Sequence, residues 1–166
     1  TLDSATEIAK TDIPSLPNRI EKIIEEHRQL TKDFEKLKTQ DSLSGVDQLI
    51  KSSYNVSGVN VISQKIDNAD AKTLLTIMDT LKPKISNSVV VLGTVTDGKV
   101  NLITHVTSDL GNKLHAGKII GQVAKIVGGG GGGRPDLAQA GGKDPEKLSE
   151  ALNQVKAIVG SLLAAS

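Results

Sequence analysis

Six consecutive glycines, Gly128, Gly129, Gly130, Gly131, Gly132 and Gly133, run directly into Arg134-Pro135-Asp136-Leu137-Ala138-Gln139-Ala140-Gly141-Gly142. Each glycine in such a run costs up to about 1 kcal/mol of backbone entropy relative to alanine. A chain keeps it where positive φ angles, very close backbone approach or mobility are needed. Gly128, Gly130 and Gly133 formally satisfy a G-x-G-x-x-G spacing. A dinucleotide fingerprint, however, requires a strand before the glycines and a helix opening directly after them. Here a helical pattern leads in and Pro135 follows, which excludes that chemistry. A P-loop is excluded too, because no Gly-Lys-Ser/Thr closes the run. What remains is a cluster of unblocked backbone N–H groups beside Arg134, with Lys118, Lys125 and Lys143 near in sequence. Backbone nests and arginine forks suit phosphate oxygens. Between Lys99 and Lys147 stand seven Lys or Arg against four Asp or Glu, so positive charge gathers here although the net charge is only +1. A flexible surface linker is the other reading the spacing allows.

Bond-making chemistry has much less to work with. The chain has no cysteine, which rules out disulfides and thiolate zinc sites. Its three histidines, His27, His105 and His115, are widely spaced; His105 and His115 lie near an acidic group, Asp109. A small hydrolase would need more than such a pair, so no catalytic residue, metal or cofactor is expected. Tyr54 and Phe34 are the only aromatic residues. Single-stranded nucleic acids are usually held by stacking bases on aromatic platforms. Any nucleic acid bound here is therefore expected to be gripped through its backbone and shape, which discriminates poorly between RNA and DNA. Apolar and charged contents of 37% and 23% are those of an ordinary soluble protein. The longest apolar run falls short of the roughly 18–20 residues that span a bilayer, and no secretory leader precedes it. A cytoplasmic location without membrane contact is the expectation. Thr1 in place of Met points to a segment of a longer chain.

The elements that must position these groups follow from periodicity. Residues 1–18 are polar, carry Pro14 and Pro17, and read as a linker or loosely ordered lead-in. From 19 to 40 the positions Ile20, Ile23, His27, Leu30, Phe34 and Leu37 step by three and four, a heptad seam flanked by charges. A lone helix of this length is marginal in water. The stripe either packs on the chain's own globular domain or pairs with another helix, in the parent chain or in a second subunit. The globular part is expected over 43–166. Val56–Ile66 reads as one strand interrupted by Gly58, and Ala69–Leu81 as a helix capped by Asp67 or Asn68 and stopped by Pro83. Val89-Val90-Val91-Leu92 is the apolar run of a strand covered on both faces. Asp97-Gly98 signals a type I′ turn into a returning strand, Lys99–Val106. Ala116–Val127 reads as a helix in which Gly117 and Gly121 permit close approach of another backbone. The glycine segment reads as a loop. Asp144-Pro145-Glu146 opens the last helix. The fold class is α/β: a helical, coiled-coil-like arm followed by a compact domain with a mixed sheet and flanking helices.

At the glycine segment the chain becomes recognisable. IVGGGGGGRPDLAQAGGKDPEKL closely resembles the signature that ends bacterial alanyl-tRNA synthetases, and SVVVLGTVTDGKVNLITHVTSDL and KLHAGKIIGQVAKIVGG resemble the preceding strands and helix of that family. The resemblance covers roughly Val56 to Leu163, with the arm similar to the family's helical connector. It implies a DHH-associated domain that contacts the outer corner of tRNA and brings the aminoacylation and editing centres of the same parent chain onto one tRNA. It also implies a part in dimer formation. By resemblance, Gly128–Gly133, Arg134 and Gln139 are binding residues, and the seam residues are candidates for pairing subunits. The synthetase's catalytic parts and the histidine–cysteine ligands of its editing site are not in this sequence, so the chain is expected to be no enzyme by itself. Related DHH phosphoesterases carry a histidine where this chain has Arg134, which favours the synthetase reading. A purely architectural dimerisation domain and a general DNA- or RNA-binding module are the alternatives.

Overall fold

The computed structural model describes residues 2–165, with the side chains of 2, 3, 5 and 34–44 outside the description. The chain divides into two compact units, 1–40 and 41–166.

In the first unit, residues 2–9 form a helix where the sequence reads as a lead-in: α1 spans Leu2–Ala9. Leu2, Ala5, Ile8 and Ala9 recur at helical spacing, and Pro14 lies too far on to interrupt them. Lys10 ends the helix in the left-handed region at φ 53°. Its N–H donates to Glu7 O and that of Thr11 to Thr6 O, the paired bonds of a Schellman cap. Helix α2 spans Leu16–Ser44, with Pro17 in its first turn. Ile20, Ile23, Ile24 and Leu30 are 41–69% exposed along it, and His27 is exposed as well. The side chains of Phe34 and Leu37 lie outside the described residues.

The second unit is a three-layer α/β domain. Its mixed six-stranded sheet has the order β1-β2-β3-β4-β6-β5, with β1 at Tyr54–Val56, β2 at Val59–Lys65, β3 at Ser88–Thr96, β4 at Lys99–Val106, β5 at Gly130–Gly133 and β6 at Leu137–Gly142. Only β2 and β3 run parallel; α4 (Ala71–Leu81) crosses between them. Helix α3 (Val46–Lys51) and α4 cover one face; α5 (Ala116–Ile126) and α6 (Leu148–Ala164) cover the other.

Strand β3 shows why the layers hold. Val89, Val90, Val91 and Leu92 are fully buried; Val89 and Val91 join the core under α5 and α6, Val90 and Leu92 the core under α3 and α4. Alternation along a strand makes both faces apolar. The Asp97-Gly98 turn has φ of 51° and 72°, the type I′ geometry that Thr96↔Lys99 pairing requires.

Three local readings are corrected. In place of one strand over Val56–Ile66 there is a hairpin of β1 and β2, because Ser57 and Gly58 (φ 51° and 87°) make a second two-residue turn. Helix α4 starts at Ala71: Asp70 Oδ1 accepts from Thr73 N–H at 2.8 Å, whereas Asn68 sits at φ 55°. Pro145 opens a 3₁₀ turn at Pro145–Lys147, and α6 follows from Leu148. Among the described residues, no helix is long and apolar enough to cross a membrane.

Candidate functional site

The glycine run is largely a strand. Helix α5 ends in a Schellman cap: Gly128 takes the left-handed position (φ 64°) and donates to Lys125 O, while Gly129 N–H donates to Ala124 O at 2.9 Å. The next four glycines pair antiparallel with β6 from Gly130↔Gly141 to Gly133↔Ala138 and form the outer edge of the sheet. This departs from the loop expected there. Side chains are excluded on one side of the strand. A methyl group at Gly129 would strike Gly141 and Gly142, one at Gly131 would strike Ala140 and Gln139 O, and one at Gly133 would lie 2.6 Å from Ala138 Cα. At Gly130 and Gly132 it would meet nothing.

Helix α5 lies beside this edge. Ala116, Ile119, Ile120, Val123 and Ala124 are buried toward the sheet. The adjoining stripe carries Gly117, Lys118, Gly121, Gln122 and Lys125, and with Gly129, Gly130 and Gly131 it walls an open groove of about 370 Å³. Gly117 is packed: a methyl there would lie 3.2 Å from Gly133 O. Gly121 faces open space, so the groove keeps its width. Lys118 and Lys125 are exposed and stand two helical turns apart, about 10 Å along the axis. Two cations, an amide and a bare backbone share one concavity, an arrangement that can hold phosphate oxygens without stacking bases.

The Arg134-Pro135-Asp136 turn closes the β5–β6 hairpin. Arg134 N–H donates to Leu137 O at 2.9 Å. Pro135 O accepts from Ala116 N–H at 2.8 Å, which ties the turn to the start of α5. Asp136 O accepts from Val106 N–H at 2.9 Å and from the Nδ1 of His105 at 2.8 Å. Arg134 itself is exposed, its Nε 3.4 Å from Asp136 Oδ1.

His105 and His115 are occupied structurally. His105 is buried, and its imidazole is held below its usual pKa, chiefly by burial and also by the charge of Lys82, against the raising effect of the Asp136 bond. His115 caps α5, its Nδ1 accepting from Gly117 N–H at 3.1 Å. Asp109 accepts from Asn87 N–H at 2.8 Å, and that bond lowers its carboxyl pKa. Among the described residues no cluster of three His, Cys, Asp or Glu could hold a metal ion.

The structure thus brings Lys118, Lys125 and the first glycines together, and sets Arg134 at the other end of the strand. Of the expected residues only Lys118, Lys125, Gly129, Gly130 and Gly131 line the groove; Gly128, Gly132, Gly133, Arg134, Gln139 and Lys143 lie outside its lining. Gln139 is exposed on β6, on the face of Leu137, whereas Ala138 and Ala140 turn toward the α5 side. Lys143 is exposed beyond β6, where its N–H fastens to Val127 O at 2.9 Å. Gln122 and Gly121 were missed as lining residues. Their spacing with Lys118 and Lys125, opposite a stripe of buried isoleucines, is the signal that reveals them.

Residues 58–161 match the DHHA1 domain family. An alanine–tRNA ligase of Ralstonia nicotianae is 46% identical over 144 residues, covering 87% of this chain and 16% of that protein. The alanine–tRNA ligase of Bacillus pumilus is 41% identical over 163 residues, covering 98% of this chain and 19% of that protein. The chain therefore spans less than a fifth of the length of these relatives. Among solved structures, the C-Ala domain of alanyl-tRNA synthetase from Aquifex aeolicus superposes with a TM-score of 0.61 at 31% identity, over 66% of this chain and 98% of that domain.

Proposed function

The chain belongs to the DHHA1 domain family, as the C-terminal portion of an alanyl-tRNA synthetase, and from that premise we propose a tRNA-binding and assembly domain without catalysis of its own. The observation that carries the reading is the groove between α5 and the glycine strand, where Lys118, Gln122 and Lys125 face bare backbone. The sugar-phosphate chain at the outer corner of a tRNA lies in it. Lys118 and Lys125 neutralise phosphates, and the glycines admit the strand within contact distance. Arg134 adds a charge at the far end of the hairpin. Holding the tRNA there keeps one molecule available to the catalytic and editing portions of the same parent chain, in the cytoplasm.

Titration of the chain with an alanine tRNA and a non-cognate tRNA, at about 50 and 200 mM salt, tests this reading. Phosphate contacts release counterions, so affinity falls steeply with salt for both tRNAs. Absence of binding, or affinity indifferent to salt, contradicts it.

A second role rests on α2, where Ile20, Ile23, Ile24 and Leu30 leave an apolar stripe exposed. Pairing of two copies through it, together with His27, Phe34 and Leu37 along the same seam, makes the chain a homodimer. Replacing Ile20 and Ile23 with Glu turns it into a monomer in sedimentation with tRNA binding retained per subunit; a dimer that survives the change places the contact elsewhere.

A further inference from the structure

A grip made of lysines alone is blind to the sugar, because ammonium groups meet the same phosphate oxygens in RNA and in DNA. One residue of the groove is of another kind. Gln122 is exposed on α5, and among the described lining residues it has the only side chain that can accept a hydrogen bond as well as donate one. Its carboxamide has no partner among the described residues. Gln122 stands four residues after Lys118 and three before Lys125, on the same stripe of the helix. Along the axis these steps are about 6 Å and about 4.5 Å. Gly121 leaves room beside it. Glycine is among the least favourable residues inside a helix, and a methyl group at Gly121 would meet nothing within 4 Å, so packing within the domain does not require glycine there. Base stacking is no alternative hold: Tyr54 packs on the core at the opposite edge of the sheet, and Phe34 belongs to the other unit.

Resting on the groove reading above, we infer that Gln122 reads the ribose 2′-hydroxyl of the bound strand and makes the groove selective for RNA over DNA. The flexible four-carbon stems of Lys118 and Lys125 let their ammonium groups settle on successive phosphates. The sugar between those phosphates then lies at Gln122. A 2′-hydroxyl both donates and accepts, and a deoxy sugar offers neither. The carboxamide matches it in either sense: its oxygen accepts the O–H, or its NH2 donates to the hydroxyl oxygen. The space over Gly121 seats the sugar ring beside that amide. The lysines thus supply attraction common to every nucleic acid, and Gln122 supplies the choice between them.

The test is a double-mutant cycle on the 166-residue chain. The unaltered protein and Gln122→Ala are each titrated with an alanine tRNA, and with the same tRNA carrying 2′-deoxyribose at its outer-corner nucleotides, the two RNAs shown to melt alike. The deoxy sugars weaken binding by the unaltered protein about threefold to tenfold, as losing one hydrogen bond does. They leave the affinity of Gln122→Ala where it was. Alanine is the best helix former, so α5 is retained, and melting curves of the protein check this. Gln122→Ala also keeps the slope of log K against log salt, whereas Lys118→Ala with Lys125→Ala makes it shallower. Equal weakening of both proteins by the deoxy sugars, or weakening of neither, overturns the role of Gln122 and leaves the groove standing. A lysine-pair variant that binds like the unaltered chain overturns the groove reading, and the role of Gln122 with it.

Discussion

The two edges of the sheet are both finished by hairpins, and they use side chains in opposite ways. At β1 the edge is sealed: Val56 is buried in the core with α6, Tyr54 packs against the same cluster, and burial raises the Tyr54 pKa. At β5 every residue is glycine and exposed, and the adjacent helix presents Gly121 where a packing side chain would normally stand. An edge strand is ordinarily protected by charge, proline or cover because its free N–H and C=O groups invite pairing. Here the strand is instead stripped and flanked by lysines. One edge therefore maintains the core, and the other leaves its backbone bare, the feature on which the proposed polyanion site rests.

Substitutions that add or remove methyl groups sharpen that contrast. Gly131→Ala forces a methyl into Ala140 and the Gln139 carbonyl, so it destabilises by about 3 kcal/mol, the upper range of overpacking. Gly130→Ala, facing open space, changes stability by less than about 1 kcal/mol. Urea denaturation of the two variants side by side measures the difference; equal losses would break the distinction between the two sides of the strand. At the sealed edge, Val56→Ala costs about 2 kcal/mol and leaves tRNA affinity untouched, which the same denaturation series and a binding titration check together.

Smaller effects come from the core. Thr104 is fully buried on β4 and its hydroxyl has no hydrogen-bond partner. Thr104→Val removes that orphan at nearly constant shape and stabilises by about 1 kcal/mol, read as a rise in melting temperature. His105 ties β4 to the Arg134 turn as a neutral ring. Its folded pKa lies below the unfolded value of about 6.5, so the unfolded chain binds the extra proton first. Stability is full above about pH 6.5 and declines as pH falls through that value toward the folded pKa. His105→Gln flattens this part of the urea-midpoint profile against pH; a profile unchanged by the substitution assigns the titration to another group.

How far the sequence could be read also differs between the edges. Strand β3 and the Asp97-Gly98 turn were legible because a doubly buried strand and a type I′ turn each demand particular residue types. The β1–β2 hairpin was hidden by Ser57, a non-glycine residue at φ 51° that left Gly58 as the only hint. Strand β5 was illegible for a stronger reason. Strand signals are carried by side chains that alternate across a pleat, and polyglycine has none; its pairing is dictated by β6 and α5. Gln139 was named from the family resemblance alone, and the β6 register sets it on the face of Leu137, away from the groove. Lys118 and Lys125 were named for their nearness in sequence to the glycines; that they share one stripe of α5, seven residues apart, comes from the helix.

The most direct test is the tRNA affinity of Lys118→Ala/Lys125→Ala against the unaltered chain across a salt series, with both proteins shown to melt alike. A groove that grips two phosphates predicts weaker binding throughout and a salt slope shallower by about 1.5. Coincident curves at every salt concentration contradict a polyanion seated between α5 and the glycine strand.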